Sequence, residues 1–291
     1  MNTLLEPFGY GFFRHALMVS VVAGGLCGLV GVYVVLRGMS YIGHGLSHAI
    51  FGGAVAGAAL LGGAAGASLG VEFYLGAGVF GIGAALMINR IARRRTIGAD
   101  AAIGVVTSAA FAFGIAIIST QTGFRVNAEA ILFGNVLGVT LVDVFVVAAV
   151  AAVIALTVFL QYRQLLFATF DPEVAEVSGV STERTDAILA LMLAATIIAT
   201  MNVVGVMLIA AVLVIPPVIA RLLTDSFHRM LWISVGVGAA LGFVGVYLSY
   251  YLNVSSGATV VLTGAALFAV VYAWSAVKGR RAMVDALDAH Q

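Results

Sequence analysis

The sequence predicts an all-α protein, a polytopic bundle of transmembrane helices. Three observations carry that prediction. The 291 residues are 62% hydrophobic and only 9% charged, whereas soluble domains are about a quarter charged. Apolar runs long enough to cross a bilayer, roughly 20 residues each, recur along the chain. The basic residues gather between those runs rather than within them, as the positive-inside rule requires of cytoplasmic connections.

Residues 1–13 are short and mixed, with Phe8, Tyr10, Phe12 and Phe13 suited to a membrane interface. A first span covers 15–36 and stops at Arg37, Gly38 and Ser40. It is too long, and lacks the cleavage site, to read as a signal peptide. The second span, about 44–65, is rich in Gly and Ala, which permits close helix contact. A third span, 70–90, runs into Arg90, Arg93, Arg94 and Arg95. The fourth is 99–119. A polar interval with Asn127, Glu129 and Asn135 follows, and these read as loop or entrance residues. The fifth span, about 139–160, opens with Thr140 and Asp143 at capping-box spacing.

The longest polar interval is 161–186. Within it Asp171 is placed to cap a short helix, with Pro172 at its first position, Glu173 in its first turn and Gly179 at its end. That predicts a surface helix at about 172–178. Residues 187–223 exceed one ordinary span and read as two packed helices with a turn near 202–204, Asn202 being a turn residue. Two last spans, 230–251 and 257–277, lead to Lys278, the only lysine. The expected count is nine spans with the N-terminus outside, or eight if 187–223 is one tilted helix. A single transmembrane domain is expected over 1–291, with no soluble domain at either end.

The chemistry-bearing stretch is GMSYIGHGLSHAIFGG at 38–53. His44 and His48, four residues apart, share one helix face. An intramembrane histidine is costly and neutral imidazole ligates borderline metals. The pair therefore reads as metal ligands on a pathway, against the alternative of two hydrogen-bonded core histidines. Two ligands do not complete a stable site. Asp100 is a weaker candidate, since an acidic residue at a helix start is also what the helix dipole favours. Cys27 lies alone in an apolar run and reads as packing. His15, His228 and His290 have flanks suited to interface or tail positions. The phosphate-binding GxxxxGK[ST] loop, GxSxG and HExxH are missing, so ATP hydrolysis on this chain and serine-type or zincin-type hydrolysis are unsupported. A net charge of +1 offers nothing to nucleic acid.

Several motifs together carry a family resemblance. VGVYVVLRGMSYIGHGLSHAIFGG (30–53), GADAAIGVVTSAAFAFGIAIIS (98–119), LFGNVLGVT (132–140), FDPEVAEVSGV (170–180) and NVVGVMLIAAVLVIPPVIARLL (202–223) resemble, in order, the permease subunits of manganese/zinc/iron ABC importers. The resemblance implies ABC importer permease architecture, a homodimer in the bacterial plasma (inner) membrane, and two cytoplasmic ATPase subunits that carry the ATP. It also implies an extracytoplasmic metal-binding protein, and a transported divalent ion with no permanently bound cofactor. It assigns Phe170, Asp171, Pro172, Glu173, Glu176 and Gly179 to the coupling helix that contacts the ATPase. His48 fits the family's histidine, whereas His44 stands where the family commonly has aspartate. Replacing an anionic oxygen ligand by imidazole moves the donor set toward borderline metals such as Zn²⁺. Two other readings remain: a permease for an iron chelate or cobalamin-like ligand, and an ATP-independent metal channel or secondary transporter.

Overall fold

The structure is a computed structural model that describes residues 6–61, 71–92, 98–120, 132–134 and 136–288. Arg93, Arg94, Arg95, Asn127, Glu129, Asn135 and His290 lie outside the described residues. The helices are α1 (Gly11–Leu36), α2 (Ser40–Leu61), α3 (Val71–Ala92), α4 (Ala99–Thr120) and α5 (Leu141–Leu160). They continue as α6 (Tyr162–Phe170), α7 (Pro172–Val177), α8 (Thr182–Val204), α9 (Ile209–Leu223), α10 (Phe227–Leu252) and α11 (Ser256–Asp288). Eight helices are long and apolar enough to cross a membrane, and α9 is a shorter apolar helix of 15 residues.

Helix α1 is the axis of the bundle. It packs against α10, α9 and α5 and is buried through most of its length. A second group forms around α2, which is clasped by α3 and α4, with α8 packed on α3. The outermost spans are α5 and α11, whose most apolar windows are 17% and 11% buried. Their exposed Phe145, Phe159, Leu262 and Val270 are what a lipid-facing helix presents.

The predicted capping box is present. The Thr140 Oγ1 accepts from the Asp143 backbone N–H, and the Asp143 carboxylate accepts from the Thr140 backbone N–H at 2.8 Å. The two-helix reading of 187–223 holds, but its turn lies at residues 205–208, after Val204. Gly205 has φ +89°, a conformation that favours glycine, and the backbone of Phe133 and Gly134 packs directly on it. Met207 N–H donates to the Leu132 carbonyl at 3.2 Å, so this irregular backbone is satisfied by protein. Asn202 is therefore helical rather than a turn residue. Pro216 and Pro217 sit inside α9. Pro217 has no N–H for the Leu213 carbonyl, and that carbonyl faces α1 at Gly31, where a β-carbon would lie 2.0 Å from it.

One interface expectation is corrected at the N-terminus. Tyr10 and Phe12 are exposed and stacked, but Phe13 is fully buried against Phe8 and Tyr250. Phe13 falls on the face of α1 that meets α10, so it packs in the core.

Candidate functional site

The histidine helix starts from a tight connection. Arg37, Gly38 and Met39 are all that separate α1 from α2. Gly38 has φ +67°, and the N–H groups of Gly38 and Met39 donate back to the Val35 and Val34 carbonyls at 3.1 and 3.0 Å. This is a Schellman-type helix end.

Helix α2 is buried on most of its surface, yet Tyr41 and His44 are exposed and His48 is half-buried. Their spacing places them on one stripe. The His44 and His48 rings meet edge to face, with centroids 4.7 Å apart. Tyr41 flanks His44 at 6.0 Å and Phe111 of α4 covers His48 at 5.3 Å. The Ser47 hydroxyl between them is not a free ligand, because it donates to the His44 carbonyl at 2.8 Å. At 1.5 Å per residue the two rings stand roughly 6 and 12 Å along α2 from its Arg37 end.

Helix α4 runs in the same direction as α2, since Gly45 abuts Ile103 and Thr107 while Gly52 abuts Ala110 and Phe111. Asp100 is exposed in the first turn of α4. It is eleven residues before Phe111, about three whole turns, so it shares the Phe111 stripe about 16 Å nearer the helix start. Among the described residues no three His, Cys, Asp or Glu side chains come together as a metal site. Asp100 therefore does not complete the imidazole pair within one chain.

The short surface helix expected at about 172–178 is present as α7, flanked by α6 and by the start of α8, which the polar interval does not announce. Asp171 caps α7, its carboxylate accepting from Val174 N–H at 3.0 Å, and Pro172 occupies the first turn. Gly179 has φ +83°, and the N–H groups of Ser178, Gly179 and Val180 return to carbonyls of α7. Phe170, Glu173 and Val174 are exposed, and Val177 is 92% exposed. Glu176 differs from its neighbours: it accepts a hydrogen bond from Thr182 Oγ1 and so fastens α7 to the first turn of α8.

A sequence model of the ABC 3 transport family matches residues 9–275. The chain belongs to the ABC 3 transport family. It is 34% identical to the manganese transport system membrane protein MntC of Halalkalibacterium halodurans, over 94% of this chain and 91% of the relative. It is 35% identical to a Haemophilus influenzae protein named "Probable iron transport system membrane protein", over 95% of this chain and 98% of that one. A solved structure, PsaBC from Streptococcus pneumoniae in complex with Fab, is similar with a TM-score of 0.80 and 33% identity, covering 92% of this chain and 94% of that chain. The ABC 3 chain is thus a multi-span permease of the metal-ion ABC transporter class, a bacterial membrane protein.

Three parts of this ABC 3 permease were not singled out from sequence as site features. Exposed Val174 and Val177 carry no pattern that a sequence displays. Arg37, read only as the stop of a span, is an intramolecular hub: it pairs with Asp186 of α8 and donates to Thr169 of α6. Asn202 donates its side-chain amide to the Tyr74 hydroxyl on α3, beside a cavity of about 380 Å³ that Asp143 also lines. Sequence separations of 128 to 149 residues hide such partnerships from any local pattern.

Proposed function

We propose that this chain is the membrane-spanning subunit of an ATP-driven importer of a divalent transition-metal ion, and that His44 and His48 line the ion's route. The observation that carries the reading is the imidazole pair, 4.7 Å apart on an exposed stripe of a helix buried over most of its surface. Two imidazoles held toward lipid would be costly, whereas facing a second copy or a polar passage they are satisfied. A second copy brings the imidazole count to four, and Asp100 stands on the neighbouring stripe closer to the Arg37 end as a further ligand along the route. Incomplete coordination within each chain suits a conduit, because the ion must be released as well as bound.

The cargo is proposed as Mn²⁺, Fe²⁺ or Zn²⁺. The names of the relatives, manganese and iron transport proteins, support the first two. The His-for-Asp exchange at position 44 favours borderline ions over hard ones. In this reading the working unit is a homodimer with two separate ATPase subunits at the α7 surface and an extracytoplasmic metal-binding protein opposite. ATP-driven closure of the ATPases moves the 161–186 segment, and the spans alternate between outward and inward access. Exposed Phe170, Val174 and Val177 beside Asp171 and Glu173 provide an apolar contact with an acidic rim for the ATPase.

The test is uptake into vesicles holding this chain, its ATPase and its binding protein, measured in parallel for Mn²⁺, Fe²⁺ and Zn²⁺. ATP-dependent uptake of at least one free ion is expected, with none from the permease alone. Transport by the permease alone, or of chelates but not free ions, would overturn the reading.

A further inference from the structure

At the end of the bundle that carries α7, one guanidinium ties α6 and α8 to the end of α1. Arg37 caps α1, and its side chain is only 10% exposed. Its Nε donates to Thr169 Oγ1 on α6 at 3.2 Å, and its Nη1 forms an ion pair with Asp186 on α8. Thr169 immediately precedes Phe170, and Asp186 lies one helical turn beyond Thr182, the residue that holds Glu176 of α7. Both flanks of α7 therefore grip the same side chain. On its other side Arg37 leads through Gly38 and Met39 directly into α2, with His44 seven residues on. The two backbone hydrogen bonds that close this connection leave little slack in it.

The chemistry of the node requires arginine. A planar guanidinium presents several donors in a fixed fork, so one residue holds two elements at a set angle. Lysine is a point charge on a flexible stem and does not reproduce that geometry. The ion pair is partly buried and the Thr169 bond adds a second tie, so displacement of α6 and α8 carries Arg37 along. Space for movement lies beside it: a cavity of about 190 Å³ is lined by Arg37, Ile42, Ile88, Asn89, Ile103 and Asp186. This cavity lies alongside the first turn of α2.

We propose that Arg37 is the positioning residue that transmits displacement of the 161–186 segment to the histidine helix α2. The inference rests on the importer reading above. It adds a specific route, from α7 through Thr169 and Asp186 to Arg37 and then to His44.

The experiment uses the full complex in vesicles, with whichever of Mn²⁺, Fe²⁺ and Zn²⁺ the native chain transports fastest. Uptake and ATP hydrolysis are read in the same vesicles, and assembly is checked by co-purification of the ATPase. In Arg37→Lys and Asp186→Asn, hydrolysis is expected to stay within about twofold of native while ions moved per ATP fall by about tenfold or more. Arg37→Asp abolishes uptake, and the reversed pair Arg37→Asp with Asp186→Arg, which restores the ion pair but not the bond to Thr169, recovers it to about the Arg37→Lys level, a non-additivity that an independent structural role lacks. Arg37→Lys keeps the charge and the pairing with Asp186, which guards against simple loss of folding. Hydrolysis and uptake falling by the same factor would overturn the proposal. So would unchanged ions per ATP in Arg37→Lys, or no recovery in an assembled reversed pair. A native complex without any ATP-driven uptake would instead overturn the importer reading itself.

Discussion

The His44 and His48 rings stand edge to face with centroids 4.7 Å apart, while the hydroxyl of Ser47 between them is turned back onto its own helix. The two imidazoles are thus the polar groups that this stretch of α2 offers to whatever lies outside it. Phe111 of α4 restricts His48 more than His44, which keeps the deeper ring in place and leaves the shallower one accessible.

His48→Ala is expected to reduce ATP-driven metal uptake to background while the ATPase still co-purifies. Loss of the covered ring removes an imidazole from the proposed route, whereas helix α2 keeps its buried face. Uptake within about twofold of native would remove His48 from the pathway.

His44→Asp restores the carboxylate that the resembled family commonly carries. It is expected to retain uptake and to raise the Mn²⁺ rate relative to the Zn²⁺ rate, since a hard oxygen donor replaces a borderline nitrogen. Competition between the two ions for transport measures this, and an unchanged ratio would show that position 44 does not select the ion.

At α7, Val177→Asp places a charge on the most exposed apolar residue of the helix, and Glu173→Arg reverses its rim. Both are expected to weaken ATPase co-purification and to suppress stimulated hydrolysis, with the thermal stability of the isolated permease unchanged. Intact co-purification in both variants would mean the ATPase docks elsewhere.

Asp171→Ala removes the cap of α7, an interaction worth about 1 kcal/mol. The short helix has few other contacts to hold its start, so faster amide exchange over 172–178 is expected, with exchange in α8 unaffected. Asp171→Asn, which still accepts from Val174 N–H, is expected to exchange like the native chain.

Tyr74→Phe leaves the Asn202 amide without its partner beside an apolar cavity. A loss of about 1 kcal/mol is expected, in line with interhelical hydrogen bonds in membranes. Adding Asn202→Leu to Tyr74→Phe should cost less than the sum of the two single changes, which denaturation in detergent can measure.

What was legible in the sequence was local. The spans follow from runs of apolar residues, because a bilayer leaves no alternative to intrahelical hydrogen bonding. The Thr140–Asp143 box and the Asp171–Pro172–Gly179 helix follow from side chains and dihedral preferences within a few residues. The turn within 187–223 was legible too, though displaced to 205–208, because its position depends on Phe133 and Gly134 packing against Gly205. The motifs at 30–53 and 170–180 likewise carried the family, which the match over residues 9–275 establishes.

Tertiary structure alone decided which faces of the spans are inside. In a soluble helix the polar face marks the exterior, but in a membrane both the lipid face and the packed face are apolar. Nothing in the run around Phe13 distinguishes the buried ring from exposed Phe12. Nor does sequence reveal that Asn202 binds Tyr74, that Glu176 is held by Thr182, or that Arg37 pairs with Asp186. Hydropathy determined that the chain crosses the membrane, and short-range hydrogen bonding determined where its helices begin and end. The meeting of Arg37 with two distant helices, and the exposure of the His44–His48 stripe, arise only when those helices pack.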